Sequence, residues 1–293
     1  MGVQPESGTL SRRTFTTGLA AVAAAGIIPR STRGANDRIG IGIIGCGGRG
    51  RDHLHTLNQV KAAGEAVEVT AVCDVYRPRL QDAAGKTGAK TYMHYQELLQ
   101  DPAVDAVLIA TPDHWHGYQL IDACEAGKDV YCEKPLTHWR QVDLTRRVVQ
   151  AVNVSQRVVQ TGTQTLSSSA WTQAARTIQE GAIGRPVHAQ AGYFRNGDWG
   201  ERMPIDDPNA KPGNDLLWDT FLGDAPKREF NVSRFFQWRM YWDYAGGPST
   251  DLFPHTYAPL LRMLNISFPA TVSASGGKFR YNGEREVPDT FNM

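Results

Sequence analysis

The sequence predicts an α/β protein, with a doubly wound parallel sheet in its first half and a second domain of different rhythm after it. Three observations carry this. Short apolar runs of strand length alternate with helical stretches from residue 39 to about 161, the pattern of a parallel sheet covered on both faces. A glycine loop, Gly45-Cys46-Gly47-Gly48-Arg49-Gly50, stands directly between the first run and the first helix. The chain has 293 residues, beyond the roughly 100–200 usual for one domain. The expected division is a leader over 1–35, a first domain over 36–160 and a second over 161–293.

The elements follow in order. Residues 39–44, IGIGII, form an Ile-rich run suited to a strand buried on both faces. In the glycine loop Gly45 makes the tight turn, Gly47 lets the backbone approach a pyrophosphate and Gly50 lets helix and strand pack closely. The helix that follows carries Leu54, Leu57 and Val60 on one face and offers its N-terminal N–H groups to phosphates. Val67–Val72 is the second strand. Asp74, just beyond it, is placed to accept hydrogen bonds from both ribose hydroxyls of an adenosine. Its charge favours NAD over NADP, while Arg77 and Arg79 nearby temper that preference. Ala106–Ala110 is a further strand, ending in the loop Thr111-Pro112-Asp113-His114-Trp115-His116; the next helix stops at Gly127. Val130–Cys132 leads into Glu133-Lys134-Pro135, Thr137 is placed to cap a helix to about Asn153, and Val158–Thr161 is one more strand. All three loops fall at the strands' carboxyl ends, where such sheets bind ligands.

From Thr163 the rhythm changes. Trp171–Glu180 reads as a helix, Val187–Phe194 as a strand, and residues 196–234 as irregular. Trp199, Trp218, Trp238 and Trp242 fall in this half; each suits packing, or stacking on the apolar face of a sugar. Asp251 and His255 stand four apart in an expected helix, which would put both on one face and let the carboxylate orient the imidazole. Ala270–Ser275 and the turn signal Asn282-Gly283 suggest a hairpin near the end.

The glycine loop, T-P-D-H-W-H and C-E-K-P-L in this order resemble the Gfo/Idh/MocA oxidoreductase family over residues 37–290. The family commonly shows Asn where Asp113 stands, whereas Thr111, Pro112 and His116 match. The resemblance implies a Rossmann-type sheet followed by an α+β domain with an open, largely antiparallel sheet. It further implies NAD bound by Gly45, Cys46, Gly47, Gly48, Arg49, Gly50, Asp74, Thr111, Pro112, His116, Glu133 and Lys134. G-G-P-x-x-D-x-x-x-H, here Gly246 to His255, is similar to the family's second site motif and makes Lys134, Asp251 and His255 the implied catalytic trio. The implied chemistry is hydride transfer at a sugar or polyol hydroxyl: His255 takes the proton, Asp251 holds its ring and Lys134 hydrogen-bonds the developing alkoxide. Two alternatives stand beside it, an exported NAD-dependent glycoside hydrolase using transient oxidation, and a C-terminally short, cofactor-binding remnant without catalysis. A homo-oligomer is plausible by resemblance alone.

Arg12-Arg13 with Phe15, followed by an apolar run from Gly18 to Ile28, resembles a twin-arginine (Tat) export signal, implying periplasmic or otherwise exported protein and contact with the Tat machinery. Eleven apolar residues fall well short of the roughly 20 needed to span a bilayer, so no stable membrane insertion is expected. With 41% hydrophobic and 21% charged residues the composition is globular, and 31 Lys+Arg against 30 Asp+Glu give no basic field for nucleic acid. Cys46, Cys73, Cys124 and Cys132 have neither disulfide-scaffold nor zinc spacing. The pairs His53/His55 and His114/His116 lack a supporting ligand set, so no metal is expected.

Overall fold

Parallel strands covered on both sides need apolar side chains on both faces, and the first strand meets that demand. β1 (Ile39–Ile44) sends Ile43 into one core cluster and Ile44 into the other, each at most 1% exposed. The structure, a computed structural model, describes residues 38–194, 203–281 and 283–293. The twin-arginine segment, Trp199 and Asn282 lie outside the described residues. Residues Ile39–Met293 cluster as one compact unit.

After β1 come α1 (Gly48–Ala62), β2 (Val67–Cys73), α2 (Arg77–Thr87), a short edge strand β3 (Lys90–Tyr92) and α3 (Tyr95–Gln100). β4 (Ala106–Ile109), α4 (Asp113–Glu125), β5 (Asp129–Glu133), α5 (Val142–Ser155) and β6 (Val159–Gly162) complete the sheet. Among the described residues its six strands run parallel in the order β3-β2-β1-β4-β5-β6, the doubly wound order that opens a crevice between β1 and β4. One core packs β4, β5, α3 and α4 around Leu98, Ile109, Leu120 and Cys132, all at 0% exposure. The other fills the opposite face with Ile43, Leu54, Val72 and Leu80.

Three local expectations are corrected. Thr137 does not cap a helix: α5 starts at Val142, because His138 and Gln141 close a turn on each other, His138 N–H to Gln141 Oε1 and Gln141 N–H to His138 O, both at 2.9 Å. Val187–Phe194 is not a strand: it has no ladder partner among the described residues, and Val187 and Phe194 are each 93% exposed. The loop 111–116 is loop only to Pro112, since α4 already begins at Asp113.

The second half begins with α6 (Ser169–Gln179), whose N-cap Ser168 accepts from Ala170 N–H. The stretch expected to be irregular instead builds a third core. Its short helices α7 (Trp218–Leu222) and α8 (Val232–Phe236), with the 3-10 turn Trp238–Met240, bring together Trp218, Phe221, Phe235, Phe236, Tyr241 and Tyr244. Trp218 stacks on Phe221 with centroids 5.2 Å apart, the packing role rather than a sugar platform. This core locks onto the edge of the sheet: Leu217 N–H donates to Val75 O at 3.0 Å and Arg77 N–H to Asp215 O at 2.8 Å. Beyond it lie α9 (Pro248–Asp251), α10 (Phe253–Leu264) and an antiparallel pair, β7 (Ser275–Gly277) with β8 (Thr290–Asn292). No helix among the described residues is long and apolar enough to cross a membrane.

Candidate active site

The carboxyl ends of β1, β2, β4 and β5 open into one cavity of about 400 Å³. Its walls include Gly45, Gly47, Gly48, Arg49, Asp74, Thr111, Pro112, His116, Glu133, Lys134, Asp251 and His255. Of the residues that the family resemblance implies for the site, Cys46 and Gly50 stand back from it. Gly50 serves the fold: a Cβ there would fall 1.9 Å from Gly45 O. Gly45 turns with φ +94° against the backbone at Ala110. Cys46 is buried, its thiol pushed well up by burial, and its N–H donates to Asp74 Oδ2 at 2.7 Å.

A dinucleotide fits the near end. α1 starts with a glycine N-cap, no side-chain cap and no acidic residue in its first turn, leaving N-terminal N–H groups and a positive dipole end for phosphate. A Cβ on Gly48 would meet nothing within 4 Å, so the backbone there is open to close approach. Asp74 is on the wall as expected, but its carboxylate also holds the loop itself, accepting from Cys46 N–H and, through Oδ1, from Tyr76 N–H at 2.9 Å. Each oxygen keeps a lone pair for a further donor. Burial raises the Asp74 carboxyl, opposed by Arg79 and those backbone donors. Arg77 turns outward to Asp215, whereas Arg79 lies on the cavity wall, paired with Asp206 at 3.4 Å and 5.0 Å over the Phe236 ring.

The far end is charged and enclosed. Lys134 Nζ donates to Asp251 O at 2.8 Å and to Asp251 Oδ1 at 3.0 Å. Arg239 Nε donates to the same Oδ1 at 3.1 Å. The expectation of Asp251 and His255 on one helix is corrected: Asp251 ends α9, and His255 lies in the first turn of α10. Pro254 between them has no N–H to continue the first helix, so the turn is reset. His255 still reaches the cavity wall, with the Tyr193 ring edge-on at 6.1 Å.

The buried polar groups behind these walls brace the loops. Glu133 Oε1 accepts from Arg49 Nε at 2.8 Å and meets His53 Nε2 at 2.6 Å; burial works to raise this carboxyl, but the two partners outweigh it and hold it below the usual range. His116 lies with its ring nitrogens 2.6 Å from Pro135 O and 2.7 Å from Thr111 O, tying the two loops together; burial lowers its pKa against the pull of those carbonyls. His114 faces Phe221 O at 2.8 Å, and burial lowers it to about 4. Arg239 and Phe235 also line the cavity and were not singled out for the site from the sequence, because no local spacing signals a wall that arrives from the third core; Trp238, one of the tryptophans suited to packing or to sugar stacking, lines it beside them.

A glycine loop at a helix N-terminus, a buried carboxylate just beyond the second strand and a lysine at the end of the fifth strand fit a Rossmann-type, dinucleotide-binding oxidoreductase. Residues 39–163 match the model described as the NAD-binding Rossmann fold of the Gfo/Idh/MocA oxidoreductase family, and residues 170–275 match its C-terminal alpha/beta domain. The chain belongs to this family, and residues 39–163 are its NAD-binding domain. Among curated relatives, an inositol 2-dehydrogenase from Rubrobacter xylanophilus is 32% identical over 57% of this chain and 46% of its own length. An inositol 2-dehydrogenase from Saccharopolyspora erythraea is 35% identical over 50% of this chain and 43% of its own. The chain thus spans about half the length of the curated relatives it matches. A levoglucosan dehydrogenase solved in complex with NADH aligns with a TM-score of 0.67 over 87% of this chain and 62% of that one, at 22% identity, which supports the fold.

Proposed function

We propose that this protein oxidises or reduces a sugar or polyol at a CH–OH group, with NAD as the hydride partner. The observation that carries the reading is the single cavity running from the glycine loop to Lys134, Asp251 and His255. Bound NAD supplies the hydride acceptor or donor. The chain supplies the proton chemistry. His255 takes the hydroxyl proton, and Lys134 donates a hydrogen bond to the oxygen as it gains charge. Asp251, through its bonds to Lys134 and Arg239, holds the ammonium in place. The open start of α1 suits the pyrophosphate, and the charge of Asp74, which would repel a 2′-phosphate, favours NAD over NADP.

The test is a panel of polyols and hexoses, inositol included because the relatives carry it in their names, with NADH followed by absorbance. Net NADH with one polyol supports the reading. Release of an aglycone from a glycoside with no net NADH would move the same residues to redox-neutral hydrolysis. Export is part of the proposal: Arg12, Arg13 and the apolar run after them support a Tat-type leader, and fractionation with a twin-lysine variant tests it.

A further inference from the structure

Asp113 stands where the family commonly has Asn, and the structure buries it directly after the wall residues Thr111 and Pro112 and against Thr250, the neighbour of Asp251. It is the first residue of α4, only 5% exposed, and it is not on the cavity wall itself. Thr250, next to Asp251 in α9, points its hydroxyl at Asp113 Oδ2 at 3.4 Å while accepting from Gly246 N–H at 3.1 Å. The charged groups acting on Asp113 come from three other elements: Lys134 from the end of β5, Arg239 from the 3-10 turn and Asp251 from α9. Beside them stand the neutral buried thiol of Cys132 and, on its own helix, His114 and His116, whose pKa values burial lowers. Lys134 and Arg239 carry two positive charges against one on Asp251, so the carboxyl of Asp113 decides whether the cluster is neutral or carries a net positive charge.

We propose that Asp113 is a positioning residue that sets the charge behind Lys134 by gaining or losing its own proton. This rests on the proposed role of Lys134. Burial drives the Asp113 carboxyl up to about 7, with Lys134 and Arg239 opposing. Protonated, it leaves Lys134 more free to bond a developing alkoxide. Ionised, it competes for that ammonium.

The sign for stability follows. A carboxyl raised in the folded state contributes stability that is fully present below the unfolded value near 4 and is lost as pH rises through about 7. Asp113→Asn, neutral at every pH, should therefore melt near the wild type at pH 4 and about 4 °C or more above it at pH 8. In a Lys134→Met background the gain at pH 8 should be larger, because the ionised carboxylate has lost a counter-charge. A pH-independent difference in melting temperature, or an equal gain in both backgrounds, overturns the proposal whatever the substrate proves to be. With a polyol that is turned over, the fall in wild-type turnover above pH 7 should be absent in Asp113→Asn; an unchanged profile overturns the positioning role. Failure of the wild type to turn over any polyol counts against the proposed function alone, and the melting cycle still judges Asp113.

Discussion

Lys134 makes two of its hydrogen bonds to one residue, the carbonyl and the carboxylate of Asp251. Replacing it with Ala removes the donor proposed for the alkoxide and leaves Asp251 held only by its other partners. Lys134→Ala and His255→Ala should each lower turnover by about a hundredfold or more, the scale of general acid–base catalysis, read from steady-state kinetics with NAD binding measured separately. His114 gives a second test at this scale. Its pKa is lowered from 6.5 to about 4, so its contribution to stability is full above about 6.5 and lost as pH falls towards 4. His114→Gln should flatten the loss of melting temperature over that window. The identities of these residues were legible in the sequence, because motif spacing names residue types. Their partners were not: nothing local joins Lys134 to Asp251 across 117 positions or brings Arg239 to the same carboxylate.

Among the elements, those of the sheet were the most legible. A strand buried on both faces must be apolar, and the runs at 39–44 and 106–109 are, as is 67–73 over its buried end from Ala71. Gly50→Ala tests the coupling of β1 to α1: with a Cβ 1.9 Å from Gly45 O the turn has to shift, so NAD affinity should fall at least tenfold in a fluorescence titration. Helix starts were less legible, because a cap is a three-dimensional match. Thr137 had the right chemistry, yet the His138–Gln141 turn moved the start to Val142. The reset at Pro254 was readable from proline's missing N–H, but the four-residue spacing of Asp251 and His255 pointed the other way. The terminal hairpin offers its own test. Asp289 accepts N–H groups from Phe279, Arg280 and Tyr281, which with the Thr290 hydroxyl outweigh desolvation and depress its carboxyl to about 2. Its contribution is present above about pH 4 and lost below, and Asp289→Ala should speed proteolysis within 278–289 at neutral pH.

Over the whole molecule, the cofactor cavity is shared between the sheet and the aromatic core around Trp218, Phe221 and Phe235. Binding there should stabilise the entire unit by mass action. NAD at a hundred times its dissociation constant adds about 2.7 kcal/mol, which for a chain of this size raises the melting temperature by about 5 °C or more. NADP at the same concentration should raise it less, and an equal rise would mean that Asp74 does not select between them. The sequence by itself determined the parallel sheet, the glycine loop, the placement of three loops at one edge and the residue types of the site. Each of these follows from local periodicity or from what a backbone turn tolerates. Tertiary structure decided that the described part of 196–234 joins a core rather than a loop, that Arg239 and Arg79 stand on the cavity wall, and that Asp113 is buried against Thr250. Those outcomes depend on contacts that no local period encodes, some between residues more than a hundred positions apart, such as Arg79 with Phe236 and Asp113 with Thr250, and packing in three dimensions selects them.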